Sequence, residues 1–427
     1  MKRALAATLL LAAAPAGAQA PPRPAAIIQA DPSVHARADD LLAFLQGTGG
    51  YDRLFGPDFR AQVPLDRFRS IAADLAGTIG QPLRIDAIAM PGRWQASVTI
   101  AYQRGSATME VTVDPAEPHL ITGLRITGQR LATDRPADLE AAIRALPGTA
   151  AVGLYALGTG QPRPVLEVGG DKEMPLGSAF KLWVLAEAVR QVNAGKRRWA
   201  DVVPAGPPSL PSGILQSWPT GAPVTLQTLA TLMISISDNT ATDTLMRALG
   251  RPALNELAGS TGLSSPVLTT REAFVIKGDP ALRRRWQTMA PAGRAALLAR
   301  DKARFDVTPL ATGIFADGPV ATDTVEWFAT PRATARLLDR LRLSRGETAR
   351  AMLAINPGTT SADAARFAYI GFKGGAEPGV LTLNFLVRTR SGQWFALAGA
   401  WHRPDGATSE PAFLTLMSRA LALVADR

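Results

Sequence analysis

The C-terminal two-thirds of the chain carries strand-like runs at both of its ends and a long helical stretch between them. Residues 151–157 and 165–168 read as a hairpin around a turn region from Gly158 to Pro164, and three further runs lie at 366–373, 380–389 and 394–402. A last helix is predicted over 411–425. Strands need partners, and those at the two ends have mainly each other. The pattern therefore predicts one antiparallel sheet built from both termini of a domain that begins near Thr149, with a helical middle. The segment 278–322, rich in Arg, Ala, Gly and Pro, is the least regular part and reads as an excursion beside the site.

The chain ahead of Thr149 has its own pattern. Apolar residues recur at helical spacing from Val34 to Leu45, and a second helix is predicted over Leu65–Ile79, stopped by Gly80. Strand-like runs follow at 83–90, 94–103, 107–114 and 119–127, punctuated by Pro91-Gly92, Gly105 and Pro115 to Pro118. Two helices and a meander predict a small α+β domain over 33–130, whose element order is similar to the cone-shaped nuclear-transport-factor-2-like fold. Residues 131–148 form a connection with one helix over Pro136–Leu146, and 149–427 the second domain. Lys2 and Arg3, an apolar run, and Ala18-Gln19-Ala20 have the form of a signal peptide over 1–20, cleaved after Ala20, before a Pro- and Ala-rich leader over 21–32. The expectation is a soluble periplasmic or secreted protein without stable membrane insertion.

Composition removes several chemistries. With 427 residues, 47% of them hydrophobic, the chain can bury two cores. It has no cysteine, so disulfides, thiolate nucleophiles and Cys-ligated zinc are excluded. His35, His119 and His402 are its three histidines, too scattered in sequence to suggest a metal cluster, and no metal or cofactor is expected. The formal charge is +10, and loss of Lys2 and Arg3 with the leader would lower it by two. The short basic clusters at Lys196–Arg198 and Arg283–Arg285 have no interleaved aromatics, so they read as solvated faces and no nucleic acid is expected. Oligomeric state is not legible.

Three short motifs carry the chemistry. Gly177-Ser178-Ala179-Phe180-Lys181 opens a helix continued by Leu182, Leu185, Ala186 and Val189. A Ser and a Lys three apart share one helix face. A buried Lys can lose its proton and act as base, and a serine hydroxyl needs such a neighbour. Alone, the motif reads as readily as a helix start with a solvated Lys. Ser237-Asp238-Asn239 links two apolar helices, the first capped by Thr225, the second running from about Thr240 to Gly250. An Asx turn would use the same residues. Phe372-Lys373-Gly374-Gly375-Ala376 lies in a late strand, where glycines beside a Lys let a ligand backbone approach while the ammonium meets a carboxylate. Three weak motifs in this order coincide by chance far less readily than any one alone.

The set Ser-x-x-Lys, Ser-Asp-Asn and Lys-Gly-Gly resembles the penicillin-recognising serine hydrolases, and over 149–427 the class A β-lactamase type. The stretch Leu229–Leu245 is especially similar, as is Thr330-Pro331 opening a helix. The resemblance implies a β-lactamase/transpeptidase-like fold, with Ser178 acylated, Lys181 as proton acceptor and Ser237 passing a proton to the departing nitrogen. It implies that Asn239 holds the substrate's amide side chain and Lys373 its carboxylate. It places Gly374 and Gly375 along the substrate, with the N–H groups of Ser178 and Ala376 forming an oxyanion hole, and leaves Asp238 structural. The two-domain layout resembles relatives in clavulanic acid clusters and among mycobacterial lipoproteins.

The sequence departs from that family where Gly374 replaces Thr or Ser, and where the segment between second and third motifs is long. It also lacks the Glu-x-x-Leu-Asn element that supplies the deacylating glutamate. Glu272 stands at the right distance after Ser237 and is the tentative candidate; Glu326 lies nearer Thr330-Pro331. Each has a competing reading as a solvated surface carboxylate. Three readings stay open: a serine β-lactamase acting on small-molecule β-lactams, an esterase or cell-wall D,D-peptidase-like hydrolase with poor lactam turnover, and an inactive fold used for binding.

Overall fold

The computed structural model describes residues 31–131, 135–209, 211–219, 221–311 and 313–425, so the expected signal peptide lies outside the described residues. The chain is α+β. Its first part opens with a helix over Pro32–Leu45, where Pro32 presets the first turn and the Asp31 carboxylate accepts from Ser33 N–H at 3.2 Å. The predicted helix over Leu65–Ile79 is present and buries Phe68, Leu75 and Ile79. Two short helices, Tyr51–Leu54 and Pro57–Gln62, lie between them and were not legible behind the Gly and Pro punctuation. Strands β1 (Pro82–Gly92), β2 (Gln95–Tyr102), β3 (Gly105–Val113) and β4 (Ile121–Leu131) form an antiparallel meander in that order. Their shared core is aromatic: Phe55 stacks on Phe59 at 4.6 Å and meets Tyr51 and Phe68.

Beyond the helix Pro136–Arg144 come β5 (Thr149–Leu157), β6 (Arg163–Val168) and β7 (Met174–Pro175). They are followed by β8 (Val202–Pro204), β9 (Pro223–Thr225) and β10 (Phe328–Ala329), then β11 (Phe367–Glu377), β12 (Val380–Thr389) and β13 (Trp394–His402). The expected sheet from both ends is present, antiparallel throughout, in the order β11-β12-β13-β5-β6. Both faces are covered. Leu381, Leu383, Phe385, Phe395 and Leu397 pack under the last helix, Glu410–Ala425, and under Pro136–Arg144. Leu386 and Ala396 face the helical body on the other side. Full burial of each large apolar side chain contributes about 1.5–3 kcal/mol, so this two-sided burial anchors the edge strand β11 on which the site is built.

The excursion 278–322 is more regular than its sequence suggested. It contains helices Pro280–Thr288, Pro291–Arg300 and Lys302–Val307. Each buries only one or two apolar residues, Leu282 with Trp286, Leu297 with Leu298, and Phe305. That is too thin a stripe for the 3.6-residue period to show against the surrounding Arg and Ala.

Candidate active site

Ser178 lies in a 3₁₀ turn, Gly177–Phe180, that runs into the helix Lys181–Asn193. Gly177 has φ +50°, in the left-handed region that glycine enters without cost. The turn is held on two sides. Leu176 N–H donates to Trp327 O at 2.9 Å, β7 pairs with β10, and the Phe180 ring stacks parallel on Trp327 with centroids 3.9 Å apart. On the other side β11 presses directly on the turn. A Cβ on Gly375 would stand 2.3 Å from Leu176 O, 2.6 Å from Ser178 N and 2.7 Å from Ala179 N, so this position has room for glycine alone. Thr382 on β12 adds a hydrogen bond from its hydroxyl to Leu176 O at 2.8 Å. Among the described residues the Ser178 hydroxyl has no hydrogen-bond partner, and it lines a cleft of about 500 Å³ with Ser237, Asn239, Lys373 and Ala376.

One helix turn beyond Ser178, Lys181 is fully buried. Its ammonium donates to Ser237 O at 2.7 Å, Ser237 Oγ at 3.1 Å and Asn239 Oδ1 at 2.7 Å. Lys373 reaches the same hydroxyl from β11 at 3.1 Å and donates to Gly374 O at 2.6 Å. The Ser237 hydroxyl therefore lies between two lysines. Burial, with Lys373 adding to it, holds Lys181 well below the usual lysine range, and burial pushes Lys373 down to about 7. Ser237 itself has φ +58°, unusual for a residue with a Cβ, and its carbonyl also accepts from Ser212 Oγ at 2.7 Å. Asp238 is structural, as expected. Buried, it caps Asn239–Leu249 through Ala241 N–H at 2.8 Å and accepts from Ile214 and Leu215 N–H at 2.7 and 2.8 Å. The structure thus brings Ser178, Lys181, Ser237, Asn239, Lys373, Gly374, Gly375 and Ala376 together.

Gly374 now has a local reason. A Cβ there would stand 2.8 Å from Phe372 Cζ and 3.1 Å from Thr382 O. The Phe372 ring, packed on Phe385 at 4.9 Å, fills the flank where a Thr or Ser would project.

Neither glutamate is a solvated surface carboxylate. Glu272 is buried in a capping box: Thr269 N–H donates to Oε2 at 2.8 Å, Glu272 N–H donates to Thr269 Oγ1 at 3.1 Å, and Arg251 donates to Oε1 at 2.5 Å. Both of its oxygens are committed, and the described cleft lining includes Thr270 but not Glu272. The Glu326 side chain is wholly buried; Oε2 accepts Gly177 N–H at 3.1 Å and Oε1 accepts Lys277 Nζ at 2.8 Å. Lys277 also donates to Glu377 at 2.5 Å. Burial alone would lower Lys277, but the two carboxylates outweigh it and raise it. Glu377 is pushed up by burial and then by Glu326, and it lines the cleft next to Ala376. Sequence reading missed Lys277 and Glu377. The only local trace was Glu377 directly after Gly-Gly-Ala.

Among the described residues no group of His, Asp or Glu could hold a metal ion. A larger groove of about 750 Å³, lined by Arg190, Arg336, Arg340 and Arg345, opens at the far end of the Lys181–Asn193 helix and contains none of the residues above.

The family model described as "Beta-lactamase enzyme family" matches residues 135–361, which span the first two motifs and end before Lys373. No curated protein matches. Among solved structures, a β-lactamase from Sphaerobacter thermophilus is 22% identical, covers 68% of this chain and 96% of its own, and has a TM-score of 0.46. An acyl-enzyme complex of a PBP-A variant with penicillin G is 21% identical over 68% and 95%, with a TM-score of 0.43. An ancestral class A β-lactamase is 18% identical over 68% and 97%, with a TM-score of 0.46.

Proposed function

The chain belongs to the β-lactamase enzyme family, and on that premise we propose that it is a serine hydrolase that opens β-lactams through an acyl-enzyme on Ser178. The observation that carries the proposal is the Ser237 hydroxyl held at 3.1 Å by both Lys181 and Lys373, beside an unpartnered Ser178 hydroxyl. Burial favours the neutral form of Lys181, which is the form able to take a proton. In the acylation step Ser178 Oγ attacks the lactam carbonyl carbon and its proton passes to Lys181. The negative charge gathers on an oxygen facing the N–H groups of Ser178 and Ala376, a stabilisation that often supplies the largest part of such catalysis. The C–N bond then breaks, and Ser237, relayed by Lys181, gives the nitrogen its proton. Lys373 meets the substrate carboxylate, and Asn239 orients the amide side chain. We assign residues 33–130 and 149–427 as separate domains, the second carrying all of this chemistry, and export to the periplasm as the setting.

A second reading has its own support. The oxygens of Glu272 are committed to Thr269 and Arg251, and those of Glu326 to Gly177 and Lys277, so neither is free to activate water. Slow release would leave a lactam standing as a long-lived adduct on Ser178, as in an esterase or cell-wall peptidase-like enzyme whose own substrate lies elsewhere. Intact-protein mass followed over time with a chromogenic cephalosporin tests both. Colour with a transient adduct means a lactamase, and a persistent adduct on Ser178 means the second reading. No adduct and no colour across penicillins and simple esters would overturn acyl-enzyme chemistry altogether.

A further inference from the structure

The helix Thr270–Gly278 reaches both walls of the Ser178 cleft. At its start Thr270 Oγ1 donates to Asn239 O at 3.4 Å, and near its end Lys277 donates to Glu377. Thr270, Phe274 and Lys277 recur at i, i+4 and i+7, so they share one helix face. Phe274, which lines the cleft, therefore lies between the residue that orients the substrate amide and the Glu377 end of the site. Strand β11 gives the same direction. Lys373, which meets the substrate carboxylate, stands four residues before Glu377, roughly 13 Å at about 3.3 Å per residue. A substrate lying along β11, with its carboxylate on Lys373 and its carbonyl at Ala376, carries its acyl chain toward Phe274.

Phe274 has a partner from the long segment between the second and third motifs. Phe315 is, among the described residues, the one member of the excursion 278–322 that lines the cleft. The two rings meet edge to face, with centroids 5.9 Å apart and planes at 80°. Lys277 Nζ lies 5.7 Å from the Phe315 centroid, a cation–π contact that ties the ring to the same helix. Both rings are only half-buried, and neither belongs to the hydrophobic cores of the chain. Two adjacent phenylalanines outside every core leave apolar surface at the cleft for a ligand to cover.

We propose, on the premise of the acyl-enzyme reading above, that Phe274 and Phe315 form a subsite that selects substrates whose acyl side chain carries an uncharged aromatic ring. Such a ring extends the pair by a third offset or edge-to-face contact, which adds to the gain from covering apolar surface. The two phenylalanines touch no reacting atom; they determine specificity. The excursion 278–322 thereby acquires a role, as the carrier of one wall of the acyl subsite.

The test compares two penicillins that differ only in the acyl chain, phenylacetyl against acetyl, by the second-order rate of Ser178 acylation read from intact-protein mass. The phenylacetyl compound should react about tenfold faster or more. That ratio should fall by about tenfold in Phe274→Ala and in Phe315→Ala, so that poor folding of one variant leaves the other to decide. A ratio unchanged in both variants, or rates that fall equally for both penicillins, would overturn the subsite while leaving the acyl-enzyme intact. Calorimetric titration of Ser178→Ala with the same pair separates the two readings. A Kd about tenfold tighter for the phenylacetyl compound, lost when Phe315→Ala is added, would uphold the subsite even if the native chain formed no adduct. Equal affinities with no adduct would overturn both.

Discussion

Two clusters of buried lysine flank the nucleophile turn, and they differ in what each ammonium meets. Lys181 and Lys373 approach one hydroxyl, with carbonyl and amide oxygens as their other partners and, among the described residues, no carboxylate within hydrogen-bond reach. On the opposite side of the same turn Lys277, equally buried, is held by Glu326 and Glu377. The first pair is pushed down and the second lysine is raised. Burial is common to all three, so the neighbouring carboxylates decide the charge state. A buried lysine without a carboxylate can act as base, whereas one with two is a fastener. Here it fastens Glu326, which receives Gly177 N–H, to Glu377, which follows Ala376.

The largest expected effect falls on the first cluster. Lys181→Ala should slow adduct formation on Ser178 by about 10²–10⁴-fold, measured by single-turnover mass spectrometry, with little loss of stability. An unchanged rate would mean another base is at work. The fastener should respond in the opposite sense. Lys277→Met leaves two buried carboxylates without their cation and should cost about 3–5 kcal/mol in denaturant unfolding, whereas Lys181→Met replaces a buried amine held in its neutral form and should cost far less. Equal costs would remove the distinction between the clusters.

A pH series sharpens it. Lys373 titrates at about 7 in the folded chain, so it is charged below that pH and neutral above it. KM for a carboxylate-bearing lactam should rise as pH passes upward through 7, and should stay flat for an uncharged ester. The stability consequence has a definite sign. Between about 7 and the unfolded value near 10.4 the unfolded chain binds the extra proton, so stability should rise with pH across that window, and Lys373→Met should make the rise shallower, leaving the share that comes from the lowered Lys181. The smallest effect is expected for Glu272→Gln, which keeps an acceptor for Thr269 N–H and loses only the charge facing Arg251. It should cost about 1 kcal/mol and leave adduct lifetime unchanged. A lengthened lifetime would restore Glu272 as the deacylating base.

The same contrast explains what the sequence made legible. Ser178 with Lys181, Ser237 with Asn239, and Lys373 with its glycines are each local patterns, because one helix turn, one helix link and one strand fix their spacing. The sheet was legible because its strands are apolar on both faces and sit at the two ends of the domain. Lys277 and Glu377 are separated by 100 residues, and nothing local ties either to a site. Glu272 had a signal that went unread: Thr269 to Glu272 is the spacing of a capping box, which marks a buried helix start rather than a free carboxylate. The helices of 278–322 were lost because each buries too few apolar residues to set a period.

The central claim is that Lys181 is a neutral base in the working protein. The rate of Ser178 acylation by a penicillin, measured from pH 5 to pH 11, tests it most directly. The account predicts a rate that levels off well short of the pH near 10.4 at which an ordinary lysine titrates. A rate that keeps climbing through pH 10 would show that Lys181 is an ordinary cation and that the account of this site is wrong.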